Sequence, residues 1–459
     1  MTPVHPVLGP PVLRVSCQIR FNCTLPAKFY YMLLLNRLFF IILCVLLFGC
    51  HLPTSHEKAH TAGDLLKKKE FFRLRTLLEI NPDGLSTEEN NWYLAFVNNA
   101  FNNNEASNEN ISTLIDKSDP QLPDSSTARL LRLRRDNDFK TFQYASAWAA
   151  DALLLGRYRH ALDSGATDDI RNNALIDSGL ATIPAQKVTI SRSTVIPFQR
   201  DKVGLIEIPV GIRDSSVASI FDTRANISSI TSTYAKKLGI RLLGVTYKEG
   251  SGATGNTFSV ELGVADSLWL GDILVQHVVF QVMPDEVLYI APIDFRMNII
   301  IGYPVIAQLR EVHIRKSGSL LIPVQPTKSD LHNLAMDELD PLISAVVGKD
   351  TLVFEFDTGA SSTDFYSNYF QRYEAEVRRT GVADSVKSGG AGGVVTQHIF
   401  WLKDVPVKVG AKTVSLKKVG VQTKPIGSGS AFYGNMGQDI MAPFDELVLN
   451  FQSMYIDCR

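Results

Sequence analysis

The chain of 459 residues contains one short pattern twice: an apolar segment leads into an aspartate, which a threonine and a tight turn follow. The pattern is complete at 352–363, where an apolar run precedes Asp357, and it recurs at 217–226 around Asp222. In both copies a closing glycine, Gly302 or Gly437, comes 80 residues after the aspartate. This shared spacing predicts an internal duplication, and therefore two similar halves.

Helices and turns are predicted at matching places in the two copies. Residues 229–238 are predicted to form a helix that Gly239 ends, and the second copy is predicted to carry a helix that Gly381 ends. The three hydroxyl residues at 361–363 are expected to cap this second helix. Gly359 permits backbone geometry and a close approach that a Cβ would obstruct.

The sequence Phe-Asp-Thr-Gly-Ala-Ser, the glycine-rich segment 389–393 and the Gly-Gln-Asp-Ile that begins at Gly437 together resemble the retropepsin-type aspartic proteases. The resemblance covers about 203–457 in two lobes. It implies a pseudo-dimer within a single chain, in which Asp222 and Asp357 face each other as a catalytic pair.

The resemblance also implies roles for the residues around this pair. Thr223 and Thr358 would interlock the two turns by hydrogen bonds, and Gly359 would shape the second turn together with Thr358. Two glycine-rich hairpins would act as flaps that close over an extended peptide and exclude water. Their glycines are Gly250, Gly252 and Gly255 in the first flap and Gly389, Gly390, Gly392 and Gly393 in the second.

Hydrolysis of an amide needs a nucleophilic water and a proton for the leaving nitrogen, and two facing carboxyl groups supply both. Carboxylates about 3 Å apart do not both ionise readily, so they share one proton. The charged member acts as general base toward water, while the protonated member polarises the carbonyl. No Ser/His/Asp arrangement or His-Glu-x-x-His motif competes for this role. The predicted function is therefore that of an aspartic endopeptidase acting on polypeptides.

Arg224 departs from the family pattern, which has glycine at this position of the turn. Its fixed charge beside the carboxylates would favour two ionised side chains and disfavour the shared proton. Alternatively, the side chain turns to solvent and only narrows the site. We expect Arg224 to tune or restrict activity. The alternative functions are a weak or inactive pseudoprotease that binds peptides or envelope proteins, and a helical scaffold whose protease-like part is only structural.

Charge and cysteine content argue against several other classes. The formal net charge of −1 gives no electrostatic reason to expect nucleic acid as a partner. Of the five cysteines, only Cys458 lies beyond residue 50, so no disulfide framework is expected in the mature body. No Cys/His cluster has the spacing of a zinc site, so we expect neither a metal nor a cofactor.

Residues 1–50 are predicted to direct export. The apolar run 38–48 is short for a transmembrane helix, which needs about 20 residues, but it fits the apolar region of a secretory signal. The following Leu-Phe-Gly-Cys resembles a bacterial lipobox, which would make Cys50 the lipidated mature N-terminus and Met32 the true start. We expect an exported, membrane-associated lipoprotein of a bacterial cell envelope. A plain signal, or an uncleaved anchor that ends at Cys50, is the alternative.

The rest of the chain divides by its hydrophobic periodicity. Residues 51–62 are predicted to be a polar tether, and 63–185 an all-α domain that resembles a degenerate tetratricopeptide array and offers a surface to a protein partner. From 187 onward the pattern alternates, which predicts two all-β retropepsin-like lobes at 187–326 and 331–459. One apolar stripe expected in the helical core consists of Phe142, Ala145, Trp148, Ala149, Ala152 and Leu153.

Overall fold

The computed structural model describes residues 55–80, 84–117, 122–250, 254–427 and 429–459. The predicted export segment 1–50, with its lipidation residue Cys50, lies outside these ranges, as does Gly252 of the first predicted flap. Among the described residues, no helix combines the length and the apolar character that crossing a membrane requires.

Helices make up the described part of the chain before residue 181. Each one packs chiefly against the next along the chain. A capping box starts the third: the Ser86 side chain accepts from the Glu89 N–H, and the Glu89 carboxylate accepts from the Ser86 N–H. The helices are α1 (Ser55–Lys67), α2 (Phe71–Ile80), α3 (Thr87–Ala100), α4 (Asn104–Lys117), α5 (Asp124–Lys140), α6 (Tyr144–Leu155) and α7 (Ser164–Leu180).

Helix α1 begins inside the segment 51–62 that the sequence assigns to a polar tether. Its Ala62, Leu65 and Leu66 are buried in the core that the helical region shares with the sheets. Burial of these apolar side chains stabilises helical structure further toward the N-terminus than the polar composition of the segment suggests.

Helix α6 buries the face opposite to the predicted one. Ala147, Ala150 and Leu154 are buried, whereas Trp148 is 47% exposed and Leu153 48% exposed. Both stripes of α6 are apolar, so periodicity alone does not decide which one faces the core. The stripe that was predicted to be core is a solvent-facing surface of the helical region.

Strands dominate from residue 187 to the C-terminus. In the first half they are β1 (Lys187–Thr189), β2 (Thr194–Pro197), β3 (Gln199–Arg200), β4 (Ile206–Ile212), β5 (Ser215–Phe221), β6 (Ser228–Thr231), β7 (Arg241–Gly250), β8 (Thr257–Leu270), β9 (Ile273–Met283), β10 (Tyr289–Ile290), β11 (Phe295–Arg296), β12 (Ile299–Ile301), β13 (Glu311–Arg315) and β14 (Ser319–Ile322). In the second half they are β15 (Leu334–Asp337), β16 (Asp340–Val347), β17 (Asp350–Phe356), β18 (Asp364–Phe365), β19 (Val382–Gly390), β20 (Gly393–Val409), β21 (Lys412–Gln422), β22 (Gly434–Met436), β23 (Glu446–Asn450) and β24 (Tyr455–Cys458). Helices α8 (Ser232–Leu238), α9 (Tyr303–Gln308) and α10 (Ser367–Thr380) lie among them. The predicted fold class, an all-α region followed by β lobes, is confirmed.

Two large sheets have matching centres. The strand order is β1-β9-β6-β12-β5-β4-β8-β7 in the first, with β3 added to β4, and β15-β16-β17-β22-β18-β21-β20-β19 in the second. Strand β12 pairs parallel with β5 and antiparallel with β6, and β22 pairs in the same way with β17 and β18. Each strand that precedes an aspartate, β5 or β17, therefore has a short parallel neighbour that leads into a closing glycine.

A third sheet joins the two halves. Its order is β2-β14-β13-β23-β24, so three strands of the first half are followed by two of the second in one hydrogen-bonded sheet. The junction is the antiparallel pair of β13 and β23, in which Glu311 lies opposite Asn450. Because backbone hydrogen bonds cross this junction, the sheet fixes one lobe relative to the other.

The helix after Asp222 is shorter than predicted. Residues 228–231 form β6, all four of them buried, and α8 starts at Ser232. Neighbouring strands β9 and β12 pair with this segment, which overrides its helical pattern. Gly239 follows the helix as predicted, with φ of +64°.

The second helix is not capped by the hydroxyl residues that precede it. Thr363 comes before β18, and its hydroxyl donates to Asp439 Oδ1 at 2.6 Å. Helix α10 starts at Ser367, and Gly381 follows its last residue as predicted. The hydroxyl of Thr363 therefore fixes the loop beside the second turn and takes no part in starting the helix.

Candidate active site

The two aspartates singled out by the sequence lie at the ends of equivalent strands. The N–H of Asp222 donates to the Ile301 carbonyl at 3.0 Å, and the N–H of Asp357 donates to the Met436 carbonyl at 2.9 Å. Ile301 and Met436 end β12 and β22, the parallel neighbours of β5 and β17. The neighbouring strand therefore fixes where each turn begins.

The closing glycines lie against these same turns. The N–H of Gly302 donates to Ser228 Oγ at 3.0 Å, and the N–H of Gly437 donates to Thr363 Oγ1 at 3.2 Å. A Cβ on Gly302 would clash with the carbonyl of Ala225, and one on Gly437 would clash with the backbone of the second turn. Both positions therefore require glycine because of close backbone approach.

Two buried threonines bind the turns to each other. The N–H of Thr223 donates to Thr358 Oγ1 at 3.0 Å, and the N–H of Thr358 donates to Thr223 Oγ1 at 3.0 Å. Each hydroxyl in turn donates across the boundary, that of Thr223 to the Phe356 carbonyl at 3.0 Å and that of Thr358 to the Phe221 carbonyl at 2.8 Å. Four hydrogen bonds between fully buried groups hold the two turns in one geometry.

The carboxyl group of Asp222 lies against Gly359 of the second turn. A Cβ on Gly359 would overlap the Asp222 carboxyl group, so this position admits only glycine. The Gly359 N–H donates to Asp357 Oδ1 at 2.7 Å, which brings both carboxyl groups to the same glycine. Burial, and then the charge of Asp357, raises the pKa of Asp222 to about 7. The arrangement disfavours simultaneous ionisation of the two carboxyl groups.

The two carboxyl groups have different neighbours. The Arg224 N–H donates to Asp222 Oδ1 at 2.8 Å, as the Gly359 N–H does to Asp357. Counting the described part of the chain, Asp357 but not Asp222 receives a further bond from a side-chain amide, from Asn435 Nδ2 to its Oδ2 at 2.9 Å. The sequence analysis missed Asn435, although the shared spacing of the two copies places it opposite Ile300 and so marks a polar residue where the first copy is apolar.

The Arg224 side chain turns toward the second lobe rather than to solvent, and its charge still acts on the pair by lowering the pKa of Asp222. It is 22% exposed, and Nη1 lies 2.9 Å from Glu355 Oε2 while Nε lies 3.3 Å from Asp340 Oδ1. The Tyr366 hydroxyl donates to the same Glu355 oxygen at 2.5 Å. Burial raises the pKa of Glu355 and of Asp340, and the nearby guanidinium opposes that rise. The cation of the first turn is thus held by acids of the second lobe, which sequence reasoning did not single out.

The predicted flaps are the hairpins of β7 with β8 and of β19 with β20. Asn256 Nδ2 of the first hairpin donates to the Gly392 carbonyl of the second at 2.8 Å. The Gly392 N–H donates to the Val287 carbonyl at 2.9 Å, and Gly255 lies against Gly427. Each hairpin tip therefore contacts the opposite lobe.

The glycines of the hairpins lie at or near these tips. Those at the turns have a positive φ: +73° at Gly255, +81° at Gly392 and +115° at Gly393. The others lie in strands: Gly250 ends β7, and Gly389 and Gly390 are the last residues of β19.

Across the described ranges, no group of three or more His, Cys, Asp or Glu side chains is arranged to hold a metal ion.

Comparison with known proteins gives one family and several structural neighbours. The family model of aspartyl proteases matches residues 208–305, and the search of curated proteins gives no match. Among solved structures, basic 7S globulin from soybean is 13% identical, with 58% of this chain and 94% of that chain covered and a TM-score of 0.37. Conglutin gamma, a basic 7S globulin from lupine seeds, is 13% identical over the same shares, with a TM-score of 0.35. A retropepsin-like aspartic protease from Rickettsia conorii is 16% identical over 30% of this chain and 92% of its own, with a TM-score of 0.21.

The matched segment contains β5, the turn at Asp222, β12 and the closing Gly302, which are the parts that carry the geometry described above. Over residues 208–305, the chain is therefore similar to the aspartyl proteases.

Proposed function

We propose that the chain is an aspartic endopeptidase in which Asp222 and Asp357 form a catalytic dyad between two duplicated lobes. The observation that carries the proposal is the reciprocal hydrogen bonding of Thr223 and Thr358, which holds two aspartate-bearing turns against each other. A rigid pair of turns suits a reaction that depends on the relative position of two carboxyl groups.

In the proposed reaction the ionised carboxylate takes a proton from water, whose oxygen bonds to the carbonyl carbon of the peptide. The protonated carboxyl group gives its proton to the carbonyl oxygen, which yields a neutral gem-diol. The C–N bond then breaks as the nitrogen receives the proton first taken from water, and a diol hydroxyl returns a proton to the other carboxylate. The raised pKa of Asp222 supports this scheme, because one proton must stay on the pair at the working pH.

The substrate in this proposal is an extended polypeptide between the lobes, with the two hairpins above it. The contact of Asn256 with the Gly392 carbonyl supports the idea that the hairpins close together. Closure of this kind would exclude bulk water and offer backbone groups to the peptide main chain.

The salt bridges of Arg224 favour the enzyme over a pseudoprotease. Glu355 and Asp340 hold the guanidinium, so its charge is compensated on the second lobe. A cation that is already paired has less effect on the shared proton than a free one beside the carboxyl groups.

Hydrolysis of unfolded casein by the full-length protein in mild detergent, at pH 4 to 7, tests the proposal. We expect cleavage by the parent and none by Asp222→Asn or Asp357→Asn. Asp404→Asn, which alters an aspartate 62% exposed on the surface, is the matched control and retains activity. Casein binding without cleavage by any variant would support the pseudoprotease, and equal cleavage by all would refute the dyad.

We also propose that the chain is exported and tethered to a bacterial membrane through lipid on Cys50. The support is the lipobox-like sequence before Cys50 and the apolar run 38–48. Mass spectrometry of the mature N-terminus would detect the lipid, and Cys50→Ala should release the protein into the soluble fraction. An unmodified N-terminus at Met1 would refute this proposal.

The helical region is proposed to bind a protein partner. The exposed Trp148 and Leu153 on α6 support this, because large apolar side chains that share an exposed helix face are typical of contact surfaces. Trp148→Ser should weaken recovery of a cross-linked partner from cells, while casein hydrolysis stays at the parent rate. Equal recovery with both proteins would refute the surface.

A further inference from the structure

Asn435 makes one carboxyl group of the pair chemically different from the other. Its Nδ2 donates to Asp357 Oδ2 at 2.9 Å, while Oδ1 of the same carboxyl group accepts from the Gly359 N–H at 2.7 Å. Each oxygen of Asp357 therefore has an N–H donor. Within the described ranges, Asp222 has one such donor, the N–H of Arg224 at 2.8 Å from Oδ1.

Among the described residues of the first lobe, none is a counterpart to this amide. Ile300 occupies the corresponding place beside Asp222, and it is buried among apolar side chains that include Leu205 and Ile220. An isoleucine side chain offers no donor, so the environment of Asp222 favours its neutral form while that of Asp357 favours the charged form.

The hydrogen bond between Asn435 and Asp357 has a defined donor and a defined acceptor. Only the NH2 end of asparagine donates, and an ionised carboxylate only accepts, so the observed orientation fits a charged Asp357. Asn435 Oδ1 is buried and has no hydrogen-bond partner among the described residues. No donor therefore competes to turn the amide around, and its orientation depends on Asp357.

Several ionisable groups also face Asp357. They are Asp222 from the first turn, Arg224 from the same turn, Asp340 at the start of β16 and Tyr366 before α10. Arg224 lies 3.3 Å from Asp340, so the two charges largely compensate each other. Asn435 donates directly to the carboxylate, and at contact distance it outweighs these partly cancelling charges.

We infer that Asn435 is a positioning residue that makes Asp357 the general base and leaves the shared proton on Asp222. This inference rests on the proposed function and assigns the two roles that the pair chemistry leaves open. Water gives its proton to Asp357, and Asp222 gives its proton to the carbonyl oxygen. When the C–N bond breaks, Asp357 passes its proton to the nitrogen, and the diol returns one to Asp222.

The pH dependence of kcat/KM for Asn435→Leu tests the inference, because leucine has a similar shape and no donor. The acid limb of the profile, which reports the first ionisation of the pair, should move up by about one pH unit or more. The alkaline limb should stay in place, so the profile narrows and its maximum falls several-fold. A merely structural role would lower the rate at every pH and leave the acid limb unmoved.

Asn435→Asp provides a second variant of the same size, whose carboxyl group donates only while it is protonated. Its activity should persist at acid pH and fall steeply as the new carboxyl group ionises. This variant carries the test if Asn435→Leu does not fold, which thermal unfolding would show. An acid limb unchanged in the folded variants would overturn the inference.

Titration of ¹³C-labelled aspartate carboxyl groups by NMR separates this inference from the proposed function. With the Asn435→Leu protein, ionisation of the pair should begin at a higher pH than in the parent. If the parent cleaves nothing but this change occurs, the proposed function fails and the assignment to Asn435 stands. If the parent cleaves and neither the titration nor the acid limb changes, the assignment to Asn435 fails alone.

Discussion

Replacing Arg224 by glycine gives the first turn the residue that the second turn carries at Gly359. The family pattern predicts that this change raises hydrolysis, because it removes a cation from beside the carboxyl groups. The salt bridges of Arg224 predict the opposite, a less stable protein that hydrolyses its substrate no faster. Arg224 lies 2.9 Å from Glu355 and 3.3 Å from Asp340, and its loss leaves two acids, 7% and 29% exposed, without this cationic partner.

Removal of one member of a buried ion pair costs about 3 to 5 kcal/mol, because the remaining charge stays desolvated. Asp340 is partly exposed, so the lower end applies, and we expect a loss of about 3 kcal/mol in the free energy of unfolding. For a β region of this size, that loss lowers the midpoint of thermal unfolding by roughly 6 to 12 °C. Arg224→Met, which keeps the aliphatic stem, should show most of the same loss.

The loss in the free energy of unfolding caused by Arg224→Gly should grow as the pH rises. Burial raises the pKa of both Glu355 and Asp340 above their ordinary values, and it raises them further once the arginine is gone. A carboxyl group whose pKa is raised in the folded state destabilises that state as the pH rises through the folded pKa. The deficit of Arg224→Gly should therefore be largest at neutral pH and disappear below about pH 4.

Thermal unfolding by circular dichroism, with casein hydrolysis on the same samples, measures both effects. Arg192→Gly is the control, because its salt bridge to Asp272 joins side chains 71% and 55% exposed, and it should change stability by less than about 1 kcal/mol. An unchanged midpoint for Arg224→Gly, together with faster hydrolysis near neutral pH, would refute the role of the salt bridges. It would restore the view that the arginine only restricts the site.

Three further predictions concern the two turns. Gly359→Ala should lower kcat/KM at least about 100-fold, since its Cβ overlaps the Asp222 carboxyl group; a near-normal rate would show that the carboxyl groups do not need this contact. Hydrolysis should fall as the pH rises through about 7, where Asp222 loses its proton, and the free energy of unfolding should fall over the same range. Urea unfolding of Asp222→Asn should lack that decrease, and a parent profile flat to pH 9 would contradict both expectations. Thr223→Val should cost about 3 kcal/mol by urea unfolding, because it leaves the Thr358 N–H and the Phe356 carbonyl buried without partners; a loss below about 1 kcal/mol would mean that the turns are held by other contacts.

The parts of the site that depend on residues close together in the sequence could be predicted. An apolar strand, an aspartate and a small turn are local features, and the repeated spacing to the closing glycine indicated which strands lie beside β5 and β17. The need for glycine at 359 also followed from the turn itself, although no local feature indicates that a Cβ there would overlap the carboxyl group of Asp222.

Contacts between distant residues could not be predicted in the same way. Arg224 pairs with Asp340, which lies 116 residues further along the chain. No periodicity links such positions, because the pairing depends on how the two lobes dock. The exposed face of α6 and the strand at 228–231 were missed for a related reason, since in both places tertiary packing outweighs the local pattern.

Two turns within one chain can differ, and the geometry at Gly359 explains why they do. A dimer of identical subunits would carry the same residue in both turns. A side chain at Gly359 would clash with Asp222, so an arginine in both turns would displace the carboxyl group. A single chain can place Arg224 in one turn and glycine in the other, and it can add Asn435 beside Asp357 alone. The asymmetry that the proposed acid and base roles require is therefore available only because both halves belong to one polypeptide.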